Sequence, residues 1–140
     1  MIQKENIIMK DHVNQWEDAV RISAKPLLEH GYIEESYVEA IFENTAKNGP
    51  YYVLAPEIAM PHASPQAGVR KAQISLLVLK NPVYFSKEGY PVRLVFTLAA
   101  TDETSHLTSL QKLAEIFADE ALVQKIIHAQ DIDEVYALMQ

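Results

Sequence analysis

Two hydrophobic rhythms alternate along the chain. Trp16, Ala19, Val20, Ser23, Ala24 and Leu27 recur at three- and four-residue intervals, the period of a helix that buries one face. Asn14 stands where such a helix takes its cap. Pro26 predicts a kink or break, with a short second piece ending at Gly31. Ser36 and Glu39 make a capping-box pattern, and Tyr37, Val38, Ile41 and Phe42 then share a helical face. Asn48, Gly49 and Pro50 predict its end.

The second rhythm is that of strands. "NIIM" within Glu5 to Lys10, "YYVL" and "EIAM" are short apolar runs bounded by polar residues or breakers. "QISLLVLK" is almost continuously apolar and rich in branched residues, the mark of a strand covered on both faces. "YPVRLVFTLAA" alternates, with Val92, Leu94, Phe96 and Leu98 on one side and Arg93, Val95 and Thr97 on the other. "NPVYFSKEGYP" between them reads as a turn-rich excursion.

Helical spacing returns after residue 100. Leu107, Leu110, Ala114 and Phe117 form one face, flanked by Leu113; Leu122, Val123, Ile126 and Ile127 form the next. "DIDE" offers an Asp cap to a last short helix carrying Val135 and Leu138. Helices bracketing a block of strands predict an α/β (α+β layered) fold. With no repeat or linker in its 140 residues, the chain reads as one domain over 1–140.

Composition narrows the function. There are 19 acidic against 12 basic residues, and the basic ones form no stripe. Nucleic acid and anionic membrane surfaces are therefore poor partners. No apolar run is long enough to span a bilayer, and the start lacks a signal-peptide pattern, so a cytoplasmic location is expected. The chain has no cysteine, which excludes thiolate chemistry and cysteine-ligated zinc. The four glycines form neither a P-loop nor a dinucleotide fingerprint. No cofactor is indicated.

Five histidines remain: His12, His30, His62, His106 and His128. None pairs at H-x-H or H-x-x-x-H spacing, so no metal site is read from them. His30 and His128 fall late in helices, where capping accounts for them; His12 has no distinguishing context. His62 follows Pro61 in a non-helical turn, "EIAMPHAS", whose backbone the proline stiffens and whose neighbours are small. His106, in "TSHLTSL", opens an apolar helix just after hydroxyl residues, where backbone N–H groups favour anions. A bland reading remains open, in which both are ordinary turn and helix residues.

The segments "APEIAMPHA", "GVRKAQISLLVLKNPVYF" and "VRLVFTLAATDETSHLTSLQKLAEIF" resemble the IIA components of the bacterial sugar phosphotransferase system, in the mannitol–fructose class. "NGPYYVLAPEIAMPHA" and "SHLTSLQKL" resemble the branch serving ascorbate. The resemblance runs from Trp16 to the C-terminal helix. It implies a phosphoryl carrier. His62 is phosphorylated by phospho-HPr and passes the group to a cysteine of a IIB component, which must be a separate chain because this one has no cysteine. His106 helps position the phosphate. The resemblance also implies a mixed sheet flanked by helices. Two positions depart from the family. Asn44, in "ENTAKNG", falls where mannitol-type members carry an arginine near the phosphate. Ser64 stands where ascorbate-type members often read P-H-A-R.

The chemistry of such a site is self-consistent. A neutral imidazole is a competent nucleophile at neutral pH, and its second nitrogen is expected to donate to a carbonyl. Phosphoryl transfer asks for in-line positioning and charge stabilisation. Hydroxyls of Ser64 or Ser105 and amides at the His106 helix start are the candidates to supply it. Two other readings stand beside this one. Nitrogen-type IIA paralogues keep the histidine but control partner proteins. A metal-assisted hydrolase using His62 and His106 is the third, without a third ligand at a telling spacing.

Overall fold

A computed structural model describes residues 2–140. Its elements run β1 (Ile7–Lys10), α1 (Trp16–Glu29), α2 (Glu35–Asn48), β2 (Glu57–Ala59), β3 (Gln73–Tyr84), β4 (Pro91–Ala99), α3 (Glu103–Phe117), α4 (Glu120–Ile127) and α5 (Ile132–Leu138). The strands form one mixed sheet in the order β1-β3-β4-β2. β3 and β4 pair antiparallel at its centre; β1 and β2 add in parallel at the edges.

The apolar run of β3 is explained by the layers on each side. Leu76 and Val78 face a core shared with Leu113, Ile116, Val123, Ile126 and Val135 of α3, α4 and α5. Leu77 and Leu79 face a second core with Ala19, Val20, Leu27, Val38 and Ile41 of α1 and α2. A period of two sends successive residues to opposite faces, so a strand covered twice must be apolar throughout. Each such leucine, fully buried, stabilises the fold by roughly 1.5–3 kcal/mol. A few polar groups enter the second core fully paired. Ser23 Oγ lies 2.9 Å from the Val95 carbonyl and 2.8 Å from Thr97 Oγ1, and Ser75 Oγ donates to the Ser23 carbonyl at 2.5 Å. These bonds fix α1 on the sheet.

Several local expectations are corrected. The cap of α1 is Gln15, not Asn14. Pro26 neither kinks out a second piece nor stops the helix; it sits buried in the last turn of α1. The true stop is Gly31 at φ 73°, where Gly31 N–H bonds Leu28 O and Tyr32 N–H bonds Leu27 O, a Schellman ending. Ser36 does not cap α2: the cap position is Glu34, and Ser36 Oγ donates to the Ala67 carbonyl instead. "YYVL" is a turn, not a strand, because Tyr52 folds back to bury its ring and meet Thr45 Oγ1 at 2.8 Å. The excursion after "QISLLVLK" is shorter than expected, since β3 runs on to Tyr84 after a register shift. In α3 the buried residues are Leu113 and Ile116, while Leu107 is 57% exposed. The Asp cap of α5 stands as read: Asp131 accepts from Glu134 N–H.

Candidate functional site

β2 ends at Ala59, and the chain then turns through Met60, Pro61 and His62 beside the end of β4. Each residue of the turn is tied down. Met60 N–H donates to the Tyr52 carbonyl at 3.1 Å, and the Pro61 carbonyl accepts from Leu98 N–H at 3.1 Å. Ala63 N–H donates to the Tyr37 hydroxyl at 3.0 Å. That hydroxyl in turn donates to the Leu98 carbonyl at 2.5 Å. Proline has no N–H to satisfy, so a buried turn at that position loses no donor.

The His62 ring is fixed from below. Its Nδ1 lies 2.8 Å from the Met60 carbonyl. A carbonyl only accepts, so Nδ1 carries the proton and Nε2 keeps its lone pair. Burial lowers the His62 pKa; the Met60 bond opposes that, and the neighbouring His106 adds to the lowering. The imidazole is therefore neutral at pH 7, with the Nε2 lone pair unshared.

His62 and His106 are brought together. Their ring centroids are 5.3 Å apart at an interplanar angle of 63°. Tyr51 stands edge-on to His62 at 5.7 Å. The three rings open on a cavity of about 320 Å³ that Asn44, Ser64 and Glu103 also line. Of the five residues singled out in the sequence, four thus meet in one cavity. No lysine or arginine is among its lining residues.

Ser105 takes another place. It forms a capping box with Asp102: its N–H donates to Asp102 Oδ1 at 2.7 Å, and its Oγ accepts from Asp102 N–H at 3.2 Å. The Ser105 backbone bond, then its side chain, holds the Asp102 carboxyl below its ordinary range. A carboxylate therefore already occupies the helix-start position where an external anion was expected. Ser64 is exposed and donates to Gln66 Oε1 at 2.5 Å. The helix-end histidines cap as read: His30 Nδ1 meets the Pro26 carbonyl and His128 Nδ1 the Gln124 carbonyl, each at 2.8 Å.

Tyr37 escaped the sequence reading, which counted it only as part of an apolar face. It is 1% exposed, and burial pushes its hydroxyl pKa up to about 12. It remains protonated and joins α2, the His62 turn and β4. The available signal was chemical: a tyrosine on a buried face needs a partner for its hydroxyl.

Comparison with known proteins places the chain in a family. The family model described as "Phosphoenolpyruvate-dependent sugar phosphotransferase system, EIIA 2" matches residues 1–140. The mannitol-specific cryptic phosphotransferase enzyme IIA component of Escherichia coli is 40% identical over 114 residues, 81% of this chain and 78% of that protein. A solution structure of the cryptic mannitol enzyme IIA from Escherichia coli superposes with a TM-score of 0.91 at 34% identity, over 99% of this chain and 94% of the other. An ascorbate-specific EIIA component of Salmonella typhimurium is 33% identical over 141 residues, covering 99% of this chain and 92% of that protein. The enzyme IIA of a solved Escherichia coli complex, IIAMTL with phosphorylated IIBMTL, superposes with a TM-score of 0.85 at 28% identity, over 99% and 96% of the two chains.

Proposed function

Since the chain belongs to the type 2 EIIA family of the sugar phosphotransferase system, whose members are phosphotransferase relay components, we propose that His62 is the phosphoryl acceptor. The observation that carries this reading is the Met60 carbonyl on Nδ1, which leaves Nε2 free at the cavity. Nε2 attacks the phosphorus of phospho-HPr. The donor's N–P bond breaks and its imidazole keeps the electron pair, while a new N–P bond forms on His62. The second step reverses the roles: a cysteine thiolate of a separate EIIB chain attacks phosphorus, and His62 leaves as neutral imidazole. His106 lies against the phosphoryl position and helps place it; Asn44 and Ser64 supply neutral hydrogen-bonding groups nearby. Ser105 acts at one remove, by holding the start of α3. The relay serves uptake of ascorbate or a related sugar or polyol, and works in the cytoplasm. Among the described residues, no helix is long and apolar enough to cross a membrane. Exposed Tyr51, Leu54 and Leu107 offer apolar contact area for the two protein partners.

The test is phosphoryl uptake. His62→Ala is expected to fold and to take up no label from phospho-HPr; normal labelling of that variant would exclude this role. His106→Ala is expected to form the phosphoprotein but pass its group more slowly, chiefly to EIIB. Unchanged transfer kinetics would leave His106 a helix-start residue only. The regulatory alternative, a nitrogen-type module, is separated by co-purification: a stable EIIB partner favours transport, and its absence favours regulation.

A further inference from the structure

A second polar cavity lies at the opposite end of β2 from His62. It measures about 440 Å³ and is lined by Glu57, Lys80, Arg93, Gln124, His128 and Gln130, with Ile127 as an apolar patch. Its position follows from two breaks in the sheet. On one side of β4, β2 pairs Glu57 with Val92 and then Ile58 with Leu94. On the other, β3 pairs Val83 with Val92 and Val78 with Leu94. Both neighbours skip Arg93. A bulge re-aims the side chains around it, and here two bulges flank one arginine.

The groups so aimed are partnered incompletely. Arg93 Nη1 bonds Glu57 Oε2, and its Nε donates to the Lys80 carbonyl at 3.3 Å. Glu57 holds φ at 76°, a backbone conformation rare outside glycine. Its Oε1 is buried with no hydrogen-bond partner. Buried polar atoms are nearly always paired, and exceptions call for an explanation. Lys80 has only a loose contact to Asp11 at 3.7 Å, with both side chains at least 70% exposed, which an entering anion can replace. The Gln124 carbonyl holds the His128 proton on Nδ1, so Nε2 is an acceptor.

We propose that this cavity binds a small polyhydroxylated anion, a sugar acid or sugar phosphate. Arg93 and Lys80 take the anionic group. Gln124, Gln130 and His128 Nε2 take hydroxyls, and Glu57 Oε1 accepts one as its carboxylate turns into the cavity. Lys80 supplies a positive charge with no close partner, and Arg93, although paired with Glu57, adds N–H donors for an anion; the amides with a carboxylate suit hydroxyl groups, which both donate and accept. Nothing in this assignment depends on the chemistry at His62.

The test uses the full unphosphorylated chain, labelled with ¹⁵N, and four probes: sorbitol 6-phosphate, gluconate, sorbitol and inorganic phosphate. Saturable amide shifts are expected at Lys80, Arg93, Gln124 and His128 with sorbitol 6-phosphate or gluconate. Whichever of these two binds more tightly names the anionic group. Sorbitol and phosphate alone are expected to bind at least about tenfold more weakly, a difference of about 1.4 kcal/mol. Lys80→Ala and Gln130→Ala, both at exposed positions, are expected to weaken binding about tenfold each while leaving the fold intact. Equal binding of phosphate and sorbitol 6-phosphate would overturn the proposal. So would affinity unchanged in both variants, shifts confined to His62, Ser64 and His106, or no saturable shift with any probe.

Discussion

The two ends of β2 solve opposite problems. At the His62 end Met60, Pro61 and Ala63 of the turn are anchored by Tyr52, Leu98 and Tyr37, and the cavity it faces has no lysine or arginine in its lining. At the Glu57 end the backbone is strained, the ladders slip, and an ion pair holds the pieces together. One end presents a neutral imidazole on a braced frame. The other gathers charge on an irregular one. The contrast teaches that a reactive group needs its surroundings satisfied, so that its own free valence is the one left over.

That contrast can be broken from either side. The largest effect on stability is expected from Arg93→Ala, which leaves the mostly buried Glu57 carboxylate without its partner. Discounting for an ion pair that is 28% and 14% exposed at its two side chains, the loss is about 2–3 kcal/mol. Chemical denaturation measures it, while phosphoryl uptake at a temperature where the variant is folded is expected to persist. If uptake were lost with the fold intact, the two ends would be coupled through β2.

Tyr37→Phe probes the other end. It removes one hydroxyl that bonds both Ala63 N–H and the Leu98 carbonyl, leaving two buried groups unpaired, for a loss of about 1–3 kcal/mol. The informative readout is ¹⁵N NMR of the His62 ring. A shift of its proton away from Nδ1, with slower phosphoryl uptake, is expected if Tyr37 positions the turn. A stability loss with an unchanged ring would make Tyr37 a packing residue only.

The smallest effect concerns pH. The His62 pKa is lowered in the folded chain, first by burial and then by His106 against the Met60 bond. The unfolded chain therefore binds more protons at this site once pH falls below about 6.5. Stability is expected to decline in that direction, down through the folded value. His62→Ala is expected to decline less steeply, as measured by thermal unfolding across that range. Equal slopes would show that His62 does not titrate differently on folding.

Much of the layered fold was legible because burial leaves a period. β3 and β4 declared themselves by unbroken or alternating apolar runs, and α4 by paired apolar residues a turn apart. Where the reading failed, a local signal competed with a distant partner. Ser36 looks like a cap, but its hydroxyl serves Ala67. Leu107 fits an apolar face, yet α3 buries Leu113 and Ile116 beneath it. "YYVL" has strand composition, but Tyr52 finds Thr45 and the segment folds back.

The site divides in the same way. The sequence alone determined the P-H turn, a histidine near the start of a late helix, and the absence of cysteine or a nucleotide loop. These follow from residue type and near neighbours, which local backbone rules govern. Only the tertiary structure decided which imidazole nitrogen is free, that Ser105 is spent on Asp102, that Tyr37 braces the turn, and that Arg93, Glu57 and Lys80 converge. Each depends on where a side chain's polar atom meets a group far along the chain: Tyr37 and Leu98 are 61 positions apart, Glu57 and Arg93 36. Periodicity says which way a side chain points, and packing alone says what it reaches.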